Sequence, residues 1–183
     1  MKSKEDNRLV CSDEKKAAIK ATRFATSVRR QNQVVRVFEC KIVEKRLNKI
    51  QRKELNKLFL EGKWFYNHVL NIKNSGTKLR QINSTTIKNV RHFDKDRNEL
   101  VSNLETLSSQ QKQAIVSRMI SNEMTIATLI KKGLQKHGSL KFKSELNCIP
   151  LKQYGNSYKF KSSNKVKIQG IHGTILVRTG NQL

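Results

Sequence analysis

The spacing of apolar residues changes character several times along the chain. Residues 1–33 hold no sustained hydrophobic period. From Val34 to Val43 β-branched residues crowd together and begin to alternate at Val35, which predicts a strand. Leu47, Ile50, Leu55, Leu58, Phe59, Phe65, Tyr66 and Val69 then recur at three- and four-residue steps, the signature of one amphipathic helix of roughly 20–25 residues, with Gly62 as a candidate break. Residues 73–106 are polar and weakly patterned, with Asn74-Ser75-Gly76-Thr77 reading as a turn.

The next element has a start and a stop signal. Ser108-Ser109-Gln110-Gln111 offers a capping box, in which the serine oxygen and the Gln111 side chain satisfy free backbone N–H groups. Ile115, Met119, Ile126, Leu129 and Ile130 supply a buried face, and Lys131-Lys132-Gly133 ends a helix over about 109–132. From Leu134 the period falls to two. Leu140–Lys143, Val166–Ile168 and, more loosely, Ile175–Arg178 alternate, with turns at Gly155-Asn156, Ser162–Asn164 and Gly170–Gly173. Pro150 favours an edge position there, because it donates nothing to a ladder.

The predicted fold class is α+β, with short antiparallel strands forming a meander or small barrel. If the first strand joins the later ones, the helices are an insertion in that barrel. The organisation is then a basic N-terminal extension over 1–33, a first strand over 34–44, a helical insertion over 45–133 and the remaining strands over 134–183.

Charge narrows the function. The chain has 38 Lys+Arg against 14 Asp+Glu, a formal net charge of +24, and a pI near 10.3. Solubility needs a net charge of only about 2–8 in a small domain, so the excess implies an anionic partner, nucleic acid first. Between Glu14 and Glu39 no acid interrupts Lys15, Lys16, Lys20, Arg23, Arg29, Arg30 and Arg36, which reads as a basic arm, helical around Glu14–Val28 and ordering on phosphates, or else as a dispensable extension. After Glu145 no acid follows at all. No apolar run approaches the ~20 residues of a membrane span, and MKSKEDNRLV has no apolar signal region. A cytoplasmic or nucleoid location follows, with no membrane partner.

Enzyme chemistry finds little to work with. Cys11, Cys40 and Cys148 form no close pairs, and His68, His92, His137 and His172 show no ligand spacing to them, so reduced thiols and no metal or other cofactor are expected. Asp94-Lys95-Asp96-Arg97 alternates acids with bases and reads as a self-paired loop, not a catalytic carboxylate pair. The contact candidates are Lys63, Trp64, Tyr66 and Asn67 on the first helix, and Lys141, Lys143, Lys152 and Lys167 in the β part. The lysines face an alternative as merely solvated, and part of Trp64-Phe65-Tyr66 must be core.

The order of these pieces resembles the N-terminal region of the OrfB/TnpB family of transposon-encoded proteins, relatives of the miniature type V CRISPR nucleases. The resemblance rests on Val35–Phe38, Gly62–Leu70, Leu107–Ile115, Leu140–Ser144, Leu151–Asn156 and Val166–Ile171, in this order over about residues 34–180. It implies a wedge-type, OB-like barrel interrupted by a helical recognition domain, holding a guide-type RNA and reading target-adjacent DNA. By motif, Ser109, Gln113, Gln153, Tyr154 and Asn156 fall where that DNA is read; amides suit adenine edges. The alternative makes Ser109 a helix cap and Gln153–Asn156 a turn. The family's RuvC-like nuclease needs three carboxylates on Mg²⁺, and its zinc ribbon needs cysteine pairs. This sequence reaches Gly180-Asn181-Gln182-Leu183 where that nuclease is expected to start, so the expectation is a truncated, split or decayed member without cleavage chemistry of its own. The alternatives are half of a split RNA-guided endonuclease joined by a separate RuvC-like segment, and an unrelated basic ribosome-associated protein.

Overall fold

The computed structural model describes residues 13–31 and 40–179, apart from 95 and 97. The chain forms two units, Met1–Phe38 and Glu39–Leu183. In the first, helix α1 spans Asp13–Gln31. Its sequence suits a helix: no Gly or Pro, several alanines, and Asp13 and Glu14 in the first turn where the helix dipole favours negative charge. The helix expected at Glu14–Val28 lies inside these bounds. The expected arm at 1–12, the strand residues 34–39 and the end at Gly180–Leu183 lie outside the described residues.

The second unit begins with β1 (Cys40–Ile42) and continues with α2 (Lys49–Asn74), β2 (Asn89–Phe93), β3 (Glu99–Asn103), α3 (Ser109–Lys131), β4 (Tyr158–Ser162), β5 (Lys165–Ile168) and β6 (Ile175–Thr179). Four strands form an antiparallel sheet in the order β1-β6-β5-β4. Its first strand therefore pairs with its last, and both long helices are inserted in the chain between sheet neighbours. The fold is α+β, but the sheet is open and the expected barrel does not close; β1 and β4 are its edges.

One reason is local. Leu140–Lys143, expected to be a strand, has no regular structure. The Asn67 side chain takes both backbone groups of Lys143, donating from Nδ2 to its carbonyl (2.9 Å) and accepting at Oδ1 from its N–H (2.8 Å). Those groups are then lost to a ladder. Residues 140–150 instead strap across α2 at Gly62, where Leu146 and Ile149 approach so closely that an added Cβ would stand 2.8 and 3.0 Å from their side chains. Gly62 does not break the helix; it makes room for the strap.

Both helices start on reciprocal capping boxes, Asn48 with Gln51 and Ser108 with Gln111. The cap of α3 is thus Ser108, not Ser109. Only the first half of α3 is deeply buried: Ile115 and Met119 are core, whereas Ile126 and Leu129 are half-buried and Ile130 is exposed. The polar stretch 73–106 holds an unexpected hairpin, β2–β3, docked on α2 through Val90. Asp94 closes its turn, accepting from the Asp96 and Asn98 backbone N–H groups and from the Asn98 side chain. Those Asn98 hydrogen bonds hold the Asp94 carboxyl below the usual carboxylate range.

Leu58, Phe65, Val69, Leu70, Ile115 and Met119 from the helices and Val166, Ile175 and Val177 from the sheet share one core. Polar side chains tie the layers. Gln51 donates to the carbonyls of His172 and Thr174, and Glu54 accepts from the His172 N–H. Glu61, fully buried, accepts from the N–H groups of Thr106 and Leu107, just before the α3 cap. Nearby, buried Lys112 donates to the Ile87 carbonyl; burial pushes its pKa down, opposed by the Glu61 charge.

Candidate nucleic-acid interface

Register decides what the sheet shows on each side. Val166 opposes Ile175 and Phe160, and Ile42 opposes Val177, on the face turned to the helices. The other set of pairs is therefore outward: Lys159 with Lys167, Lys165 with Leu176, and Lys41 with Arg178. All five cations are exposed. Among the described residues none has an acidic partner within 4.0 Å, and none makes a side-chain hydrogen bond. The face carries an exposed cation on each of four strands, with half-buried Leu176 among them, and two like-charged pairs set directly opposite each other. Turns at Ser162–Asn164 and Gly170–Gly173 make the strands short enough to bring these residues together.

The expected contact residues divide by location. Lys167 lies on this face. Lys141, Lys143 and Lys152 are exposed on the irregular segment between α3 and β4. Lys143 holds its ammonium 5.4 Å from the Tyr66 ring centroid. Lys63 is half-buried on α2.

Three residues expected at the interface have partners within the fold. Tyr66 is only 5% exposed and belongs to the core with Phe65. Asn67 uses its amide on Lys143, as described. Trp64 stacks on His92 with ring centroids 4.0 Å apart and planes within 9°, so one indole face is covered by the hairpin.

Ser109 and Gln113 are exposed, one turn apart on α3. Gln153, Tyr154 and Asn156 lie in a turn closed by Gly155 N–H to the Tyr158 carbonyl and Ser157 N–H to the Gln153 carbonyl. Gly155 takes a positive φ of 90° there. The Asn156 amide donates to Gln153 Oε1 at 3.3 Å, so these side chains also serve the turn. Ser157 Oγ meets Gln110 Oε1 at 3.0 Å, which joins this turn to the first turn of α3. The two groups of amide-bearing residues therefore sit at one end of one helix. Tyr154, 61% exposed, stands beside them and meets Tyr158 edge-on.

Lys159, Lys165 and Arg178 belong to the acid-free stretch after Glu145 that the sequence marks as a basic surface for tracking a phosphate backbone, whereas Lys41 carries no such signal. Period-two alternation flanking Ser162–Asn164 carries their signal for β5, but the pairing across β6 to β1 is not written in any local pattern. Among the described residues no group of three or more His, Cys, Asp and Glu stands together as metal ligands, and no helix is long and apolar enough to cross a membrane. No protein-family model, no curated protein and no solved structure matches the chain.

Proposed function

We propose that this chain binds RNA and DNA, gripping the phosphate backbone on the open, cationic face of its sheet. The observation that carries the proposal is the pair of opposed like charges, Lys159 with Lys167 and Lys41 with Arg178, on a face without an acid. Like charges directly opposite each other on a sheet destabilise it. Nothing within the described residues offsets that cost, whereas a polyanion laid across the strands would turn each repulsion into an attraction.

The resemblance extends the proposal. On it, the partners are a guide-type RNA and target-adjacent DNA in the cytoplasm, the sheet is a wedge-type platform, and the inserted helices form the recognition part. Support comes from the motif order, from helices inserted between β1 and its sheet neighbour β6, and from Ser109, Gln113 and the Gln153–Asn156 turn meeting at one end of α3. No cleavage step is assigned to this chain.

Purified protein titrated into a structured RNA and a duplex DNA tests the reading. Binding that weakens steeply as salt rises is expected. Failure to bind either at about 100 mM salt would refute it.

A further inference from the structure

A cavity of about 220 Å³ opens between α2, α3 and the strap of residues 140–150. It is built, not incidental. Asn67 pins the strap at Lys143, and Leu146 and Ile149 are seated on Gly62. Ile115 and Met119, both core residues, make an apolar floor. Tyr66 lines the wall. Most of the residue is buried, but its hydroxyl keeps contact with solvent and has no hydrogen-bond partner among the described residues. A tyrosine with a buried ring and a wet, unpartnered hydroxyl offers that polar tip to whatever enters from solvent.

The rim has different chemistry. Arg118 donates one N–H to Cys148 Sγ at 2.9 Å and keeps its other donors free. Lys143 stands over the Tyr66 ring. Glu145 also lines the opening, so an anion inside the cavity would meet a carboxylate and an apolar floor. Anionic groups belong at the rim, against Arg118 and Lys143. A flat, neutral, hydrogen-bonding ring belongs inside. The volume lies below the roughly 300–1,000 Å³ of sites for larger ligands and suits a single ring system.

We propose that this cavity holds one unstacked base of a bound strand, with the Tyr66 hydroxyl on the base edge and Arg118 and Lys143 against the flanking phosphates. The floor takes the face of the ring, as apolar and aromatic side chains do for splayed-out bases in single strands. Glu145 can accept from an exocyclic amine of the base. The proposal rests on the reading that the chain binds nucleic acid, and it is separable from the sheet-face grip, which touches phosphates only.

The test compares a short single strand with an abasic strand of equal length and phosphate count, using the full chain at one salt concentration. The wild type is expected to bind the intact strand about tenfold more tightly, the order of one base contact. Tyr66→Phe keeps the ring and should bring the ratio down towards one, whereas Arg118→Ala, at an exposed phosphate contact, should weaken both strands alike. Tyr66→Phe should leave the salt dependence unchanged. Equal affinity of the wild type for both strands, or a ratio that survives Tyr66→Phe, overturns the base site and leaves the backbone grip standing. Binding to neither strand overturns both. A free nucleoside 5′-monophosphate forms a third arm. If it binds in a Tyr66-dependent way while the strands show no difference, the cavity takes free nucleotides and the strand proposal is overturned.

Discussion

Replacing Lys159, Lys165 and Lys167 together with alanine should weaken nucleic-acid binding while making the protein more stable. The three residues lie on the outward face of β4 and β5, two of them directly opposed. Each phosphate contact contributes about 0.9 to the slope of log affinity against log salt on duplex DNA and about 0.7 on single strands. Three lost contacts should therefore flatten the slope by about 2.7 or 2.1. Over a rise from 50 to 200 mM salt, those contacts account for roughly a 40-fold loss of affinity on duplex and roughly 20-fold on single strands. Stability should move the other way, because removing the Lys159–Lys167 repulsion returns a few tenths of a kcal/mol, up to about 1. Fluorescence anisotropy across a salt series reads the first quantity, and a urea melt reads the second. An unchanged salt slope would refute the sheet face as the phosphate site. A fall in stability would refute the claim that the opposed lysines strain the free protein.

Three further outcomes follow from single contacts. Glu61→Ala should cost about 2–5 kcal/mol in a urea melt, since it strands the half-buried Thr106 and buried Leu107 N–H groups; Glu61→Gln, which keeps an acceptor oxygen, should cost clearly less. Gly62→Leu should cost about 1–3 kcal/mol by driving Leu146 and Ile149 off α2, and hydrogen exchange should show the Lys143 N–H losing protection. His68 gives a pH signature. Burial first, and then the Arg91 charge, hold its pKa below the usual 6.5, and its Nδ1 accepts from the Arg91 N–H. The unfolded chain therefore binds the proton more readily, and stability should fall as pH drops below 6.5, down to the lower folded-state pKa. Thermal melts across this range should flatten in His68→Gln; an equal slope in both proteins would remove His68 as the cause.

Much of the helical part was legible in sequence, because its determinants are local. Period, caps and stop signals place α3 within a residue or two, and the Ser108–Gln111 box forms as read. The strands β5 and β6 follow from alternation. The hairpin β2–β3 was not legible: most of its residues are exposed or half-buried, and Val90 alone is deeply buried in it, so little periodicity marks it. Leu140–Lys143 alternates like a strand, yet Asn67, 76 residues earlier in the chain, takes its backbone groups. Trp64, Tyr66 and Asn67 have the side chains of an interface, and only their three-dimensional neighbours show that Trp64 stacks on His92, that Asn67 pins Lys143, and that the Tyr66 ring packs in the core while lining a cavity.

By itself the sequence determined the helices, an α+β class, and a large positive charge concentrated where no acid follows Glu145. Those properties depend on residue type and on spacing within one turn or one strand. Tertiary structure decided that β1 pairs with β6, that the sheet stays open, and that Lys159 meets Lys167 while Lys41 meets Arg178. It also decided that a strap over Gly62 closes a cavity beside Tyr66. The physical reason is register. A strand's charge is written along the chain, but the face it turns to solvent, and the charge it opposes, depend on its partner's register, eight residues away for Lys159 with Lys167 and more than a hundred for Lys41 with Arg178.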